Sequence, residues 1–325
     1  MDYTYIEEAT GGSRGGSWDE ATTDSEEFLE KCGLNWTVET HPTHALVEGD
    51  DGVTREVACK GDVGHFRLNE DGSRIYLGTT GEGCPTFQNS EAMELLDAMC
   101  EEAGAEKLKG GCKDNGGKCW TQARMPDTFD AIMGDAVQLY LTMFWGHAGQ
   151  GSILVGGTGN RMVCLNQQPV IMGNLKANSL LRVRHTRNMD QRISDGVKGL
   201  LAASAAFREF GEVAKRMASI SINSERWTGL LDVVAPLPAE DKRQTNAWNI
   251  RAHLTELFEG GLGTHIPGVR GTGWGAWQAV TEYTNHHRST NGVGEVQRLN
   301  REHSVLFGSG NKLNIKAAQH VLSLA

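Results

Sequence analysis

The stretch Val137-Gln-Leu-Tyr-Leu-Thr-Met-Phe-Trp145 decides the fold. It is rich in β-branched and aromatic residues and mostly alternates, the pattern of a sheet strand. Upstream, Lys107–Cys112 and Lys118–Met125 flank Asp114-Asn115-Gly116-Gly117, a strong turn sequence, and downstream Ser152–Val155 reads as a fourth strand. Together they make an antiparallel meander.

Outward from the meander the period changes. Gln88-Asn89-Ser90 caps a helix with Met93, Leu95, Leu96, Met99 and Cys100 on one face, ended by Gly104. Before it, Gly64–Gly78 reads as a hairpin turning at Asp71-Gly72, and Asn35–Glu39 and His44–Glu48 read as two further strands. Phe28–Cys32 reads as a short helix. After the meander, a short helix is expected from about Arg161 and a short strand at Leu181–Thr186. Asp190–Ser219 is the strongest helix, with Ile193, Val197, Leu200, Leu201, Phe207, Phe210, Val213 and Met217 at helical steps and Arg192, Lys198, Arg208, Lys215 and Arg216 opposite. Helices are also expected near Trp248–Phe258, Gly275–Asn285 and Lys312–Ala325. The fold class read from this order is α+β: an antiparallel β-meander packed against long helices.

The 325 residues suffice for one large domain or two ordinary ones, and 39% apolar residues suffice for a core. The 41 glycines follow no Gly-X-Y period, so collagen is excluded. No apolar run reaches about 18 residues, so no membrane span is expected. Met1–Gly16 lacks the basic and apolar regions of a secretory signal, and seven cysteines is an odd number, so reduced thiols and a cytoplasmic location in a host cell are expected. Three parts are expected: an acidic flexible arm over 1–30, an α+β core over 31–237, and a mainly helical region over 238–325 packed on the core.

Charge is divided sharply. Residues 1–106 hold 24 Asp/Glu against 6 Lys/Arg, a net of −18, while residues 107–325 hold 17 against 25, a net of +8. A basic body behind an acidic front points to a polyanion partner, or to an acidic segment that mimics one. Lys107, Lys109, Lys113, Lys118 and Arg124 fall within 18 residues, with Trp120 among them; Arg182, Arg184, His185, Arg187 and Arg192 form a second cluster, against Asp190. Lysine and arginine neutralise phosphates and an interleaved aromatic stacks on an exposed base. Equally, a charge-rich hairpin can be solvated surface and its tryptophan a core plug.

Motifs for chemistry are sparse. Gly156-Gly157-Thr158-Gly159-Asn160 before Arg161 lacks both the Gly-Lys-Ser/Thr ending and the Gly-x-Gly-x-x-Gly fingerprint; it is either a tight turn or a backbone nest for an anion. Cys112 and Cys119 are separated by six residues on facing strands, a spacing open to a metal half-site or a disulfide, but with no CxxC or histidine partner they read as ordinary strand cysteines ahead of a metal half-site. His41/His44 and His286/His287 carry no metal spacing. No nucleophile elbow or His-Glu-x-x-His occurs, so no enzyme, cofactor or metal is expected. Trp274 and Trp277 share one helix face, which locks onto the sheet or meets another subunit.

Tyr76-Leu77-Gly78, Phe87-Gln88-Asn89, Thr158-Gly-Asn-Arg-Met-Val-Cys-Leu-Asn166, Arg184-His185-Thr186 and Gly271-Thr272-Gly273-Trp274 through Glu282-Tyr283 together resemble the phage/plasmid-like proteins of a domain-of-unknown-function family carried on mobile elements, in order over about residues 60–325. The order helix, three-strand meander, long basic-faced helix more distantly resembles the core of the phage single-strand annealing recombinases. That resemblance implies a ring or filament holding single-stranded DNA in a basic groove, without nucleotide or metal. The acidic front and low pI depart from it, and imply that oligomerisation builds the groove. The expected function is therefore single-stranded DNA binding by a homo-oligomer in phage or plasmid recombination. Lys107, Lys109, Lys113, Lys118, Arg124, Arg161, Arg182, Arg184, His185 and Arg187 would hold phosphates and Trp120 would stack. The rival is a self-assembling or host-protein-binding phage protein whose acidic arm mimics nucleic acid.

Overall fold

The computed structural model describes residues 4–5, 24–149, 152–164, 166–169, 181–183, 189–239 and 242–325. Its architecture is α+β with antiparallel sheets. In chain order the elements are β1 (Thr4–Tyr5), α1 (Ser25–Lys31), β2 (Thr37–Glu48), β3 (Thr54–Leu68), β4 (Arg74–Gly81), α2 (Asn89–Ala103), β5 (Glu106–Lys113), β6 (Lys118–Asp130), β7 (Ala136–Gly146), β8 (Ile153–Arg161), β9 (Asn166–Pro169) and β10 (Leu181–Val183). The helices α3 (Met189–Ser219), α4 (Ser224–Val234), α5 (Thr245–Gly260), α6 (Gly273–Glu282), α7 (Gly294–Phe307) and α8 (Ser309–Leu322) follow. The larger sheet has the order β1-β5-β6-β7-β8-β10, with β9 paired to β8; the smaller is β2-β3-β4. The expected arm over 1–30 lies outside the described residues except for 4–5 and 24–30.

By density of contacts the chain forms two units. One comprises Met1–Arg124, Leu141–Gly156 and Leu181–Leu200; the other comprises Met125–Tyr140, Gly157–Leu180 and Leu201–Ala325. The deciding stretch is β7, and from Val137 to Trp145 no residue is more than 9% exposed. A strand buried on both faces needs apolar side chains at nearly every position, which is why its alternation is imperfect.

In the first unit, Asp24 caps α1 by accepting the Glu27 amide at 2.8 Å. The Glu91 carboxylate accepts the Gln88 amide at 2.7 Å, and α2 ends at Gly104 in the left-handed region. The Gln88 side chain is then free to pair with β2, its amide accepting from Val38 N and donating to Val38 O. Asn89 is buried and ties three segments: it donates to Leu34 O at 2.9 Å and receives Trp145 Nε1 at 3.1 Å and His147 Nε2 at 3.0 Å. The expected strands 35–39 and 44–48 are one strand, β2, because a bulge between Pro42 and His44 absorbs the irregularity without ending the ladder.

In the second unit α6 is buried along its whole length, as expected of a helix apolar nearly all round. Trp274 and Trp277 lie 6.4 Å and 5.7 Å from Phe210 of α3, ring centre to ring centre. Both tryptophans are 0% exposed, so they form core of this unit. The helix expected at Arg161 is absent: Gly156–Asn160 is the interior of β8, and Arg161 is its last residue. Glycine serves there as close approach, since a Cβ on Gly159 would stand 3.1 Å from Val137 Cγ1 and 3.4 Å from Phe210.

Candidate functional site

The described side chains of the first basic cluster are engaged internally. Lys107 is 3% exposed; its ammonium pairs with Asp97 and donates to Ser25 Oγ at 2.8 Å. Lys109 is also buried and stands 5.8 Å over the Trp120 ring, which is itself buried. Lys118 pairs with Asp114 at 2.7 Å, and Arg124 pairs with Glu106. Lys113 lies opposite Lys118 on the β5–β6 ladder, and its side chain is outside the described residues. Cys112 and Cys119 face each other across the same ladder, and both side chains are buried. Burial pushes the Cys119 thiol well above its ordinary range.

The second cluster is not assembled among the described residues. Arg184, His185 and Arg187 lie outside them, and Arg182 is described only as a strand residue of β10, opposite Leu154. Arg161 is 0% exposed. Its Nε and NH2 donate to the two oxygens of buried Asp135 at 2.7 and 2.8 Å, and its NH1 donates to Leu262 O at 2.9 Å. Trp274 Nε1 donates to the same Asp135 carboxylate at 2.7 Å. Neither expected role of the glycine run survives, because Arg161 is the counter-charge of Asp135 and the backbone around it is ladder. Neither Lys107 nor Arg161 can reach a phosphate in this conformation. Among the described residues, Lys107 and Arg161 are therefore withdrawn from any cationic track.

Beside Arg161, and missed from sequence, lies a cleft of ≈ 580 Å³ lined by Val163, His253, Glu256, Glu282 and His287 together with the loop Gly260–His265. Glu282 holds that loop, accepting Leu262 N at 2.8 Å. Burial raises its carboxyl above the ordinary value, offset in part by the Leu262 amide and the Arg161 charge. His287 Nε2 stands 3.7 Å from Glu282, and the His253 and His287 rings are 4.6 Å apart, edge to face. Among the described residues no three His, Cys, Asp or Glu side chains are placed to hold one metal ion. In the sequence, the signal for this cleft was a carboxylate, Glu282, ending an apolar helix.

Four exposed apolar side chains cluster in the first unit. β4 covers β3 only from Asp62 to Leu68. Beyond it, His44–Glu48 of β2 and Thr54–Ala58 of β3 form a two-stranded ribbon. Ala45 faces Val57, and Val47 faces Arg55, on one side; Leu46 faces Glu56 on the other. Leu46 is 77% exposed, Val53 51%, Val57 50% and Val47 48%. Two strands alone are marginally stable in water.

No described helix is long and apolar enough to cross a membrane. No curated protein and no solved structure matches the chain. The model of one family, a domain of unknown function designated DUF932, matches residues 76–306. That span holds α2, the whole meander and the helices through most of α7, and the chain belongs to the DUF932 family.

Proposed function

We propose that this chain is a binding protein that works as a homo-oligomer. One observation carries the reading: a β-ribbon whose Leu46, Val47, Val53 and Val57 stand 48–77% exposed. Leaving such side chains in water forgoes roughly 1.5–3 kcal/mol for each that could be fully buried, which a subunit contact recovers. Native mass or sedimentation measured across concentration tests it; a monomer throughout overturns it.

A second reading, that the assembled form holds single-stranded DNA as a phage- or plasmid-borne annealing protein, is favoured by the charge division. Residues 107–325 keep a net of +8, and Arg208, Lys215 and Arg216 are exposed on α3, where Lys215 is shared with Glu212 at 2.8 Å. With Lys107 and Arg161 sealed, a groove would have to be built between subunits. The rival, an acidic front docked on a basic host protein, predicts no DNA binding in either state. Mass measured with and without an oligonucleotide separates the three outcomes.

A further inference from the structure

The ribbon also specifies how two copies would meet. Over His44–Glu48 the outer edge of β2 has no strand beside it among the described residues. Its backbone donors and acceptors on that side form a ready template for another strand. Pro42 and the bulge that follows it close the template on the N-terminal side, because proline has no N–H and the bulge turns the strand. The usable edge is thus His44-Ala45-Leu46-Val47-Glu48.

That pentapeptide is complementary to itself in one antiparallel register. With Leu46 opposite its own copy, Ala45 meets Val47 and His44 meets Glu48, so apolar faces apolar and imidazole faces carboxylate. A shift to either side breaks the match. Centring on Ala45 sets Leu46 against His44 and Glu48 against Pro42; centring on Val47 sets Leu46 against Glu48. The pairing also extends the apolar face, since Val57 and Ala45 of one copy run on to Val47 of the other.

We infer that two copies of this chain pair through the β2 edges, antiparallel about a two-fold axis at Leu46, to make one continuous sheet from two ribbons. A two-fold contact is the commonest closed arrangement of identical subunits. The inference rests on the oligomer reading and adds the partner surface to it.

The test is a cysteine at position 46. Cys59 is partly exposed and Cys84 exposed, so both are first changed to serine. Opposed antiparallel residues have Cα atoms about 4.5–5.5 Å apart, inside the range a disulfide spans. Leu46→Cys should therefore give a covalent dimer under diamide, while Val53→Cys at the ribbon turn should stay largely single. Leu46→Asp should weaken dimerisation about tenfold or more while leaving the fold intact, since the residue is 77% exposed. An oligomer that lacks the 46–46 link, or that survives Leu46→Asp unchanged, overturns this pairing and leaves the oligomer reading standing. A monomer at all concentrations overturns both.

Discussion

Arg161 shows how much a single side chain hides. Beside a glycine run it looks like an anion contact, and its guanidinium is in fact matched to a carboxylate 26 positions earlier. Lysine or arginine in a sequence announces a positive charge and not the group that neutralises it; for Lys107 that group is Asp97, on α2. Removing one partner of a fully buried pair leaves a charge without compensation, so Asp135→Asn should lose about 3–5 kcal/mol in urea unfolding, and Arg161→Met a similar amount. Glu282 behaves oppositely. Its carboxyl is raised in the folded state, so the folded chain holds a proton that the unfolded chain has already released. Its contribution is fully present below the unfolded pKa of about 4.3 and falls as pH rises through the higher folded value. Glu282→Gln keeps an acceptor for Leu262 N and has no proton to lose. The stability of the variant relative to the native chain should therefore grow from pH 4 upward, read as the difference in urea midpoint; a gap constant with pH would refute the assignment.

At the scale of elements, what was legible is what local chemistry determines. The capping residues and apolar stripe of α2, the Asp71-Gly72 hairpin, the β5–β6 turn and the long α3 all carry their own signals. What was not legible depends on distant neighbours. α7 is polar in sequence, and among its described side chains Val305 and Leu306 near its end are buried. β9 is three polar residues and a proline, held by pairing to β8, and by Gln167 N donating to Asn285 Oδ1 at 3.1 Å. Glycines misled in the same way, because a glycine inside a strand or helix looks like a turn until its neighbour is known. At Gly273 a Cβ would stand 2.6 Å from Val321 Cγ1 and 2.8 Å from Met217 O. Gly273→Ala should thus cost about 1–3 kcal/mol through overpacking. Gly83, with nothing within 4 Å of its missing Cβ and no left-handed backbone, is the control: Gly83→Ala should be neutral or slightly stabilising. Equal thermal shifts for the two would show that close packing does not explain Gly273.

For the whole molecule the charge division was plain in the sequence, and its use was not. A net of −18 before residue 107 and +8 after it permits both DNA binding and contact with a basic protein. What separates them is whether cations from several copies line one groove, a property of no single chain. Each phosphate neutralised releases counterions, so the logarithm of affinity for single-stranded DNA falls with the logarithm of salt by about 0.7 per phosphate. If subunits build the groove, that slope belongs to the assembly. The native chain should then bind an oligonucleotide with a slope of several phosphates, and Leu46→Asp should lower both affinity and slope although the substitution removes no cation. If instead one subunit carries the whole site, Leu46→Asp should leave the slope unchanged even while it dissociates the oligomer. Fluorescence anisotropy of a labelled oligonucleotide over a salt series, with sedimentation of the same samples, reads both quantities at once. A flat salt response in the native chain would remove DNA from the account and leave the acidic front as the feature that needs a partner.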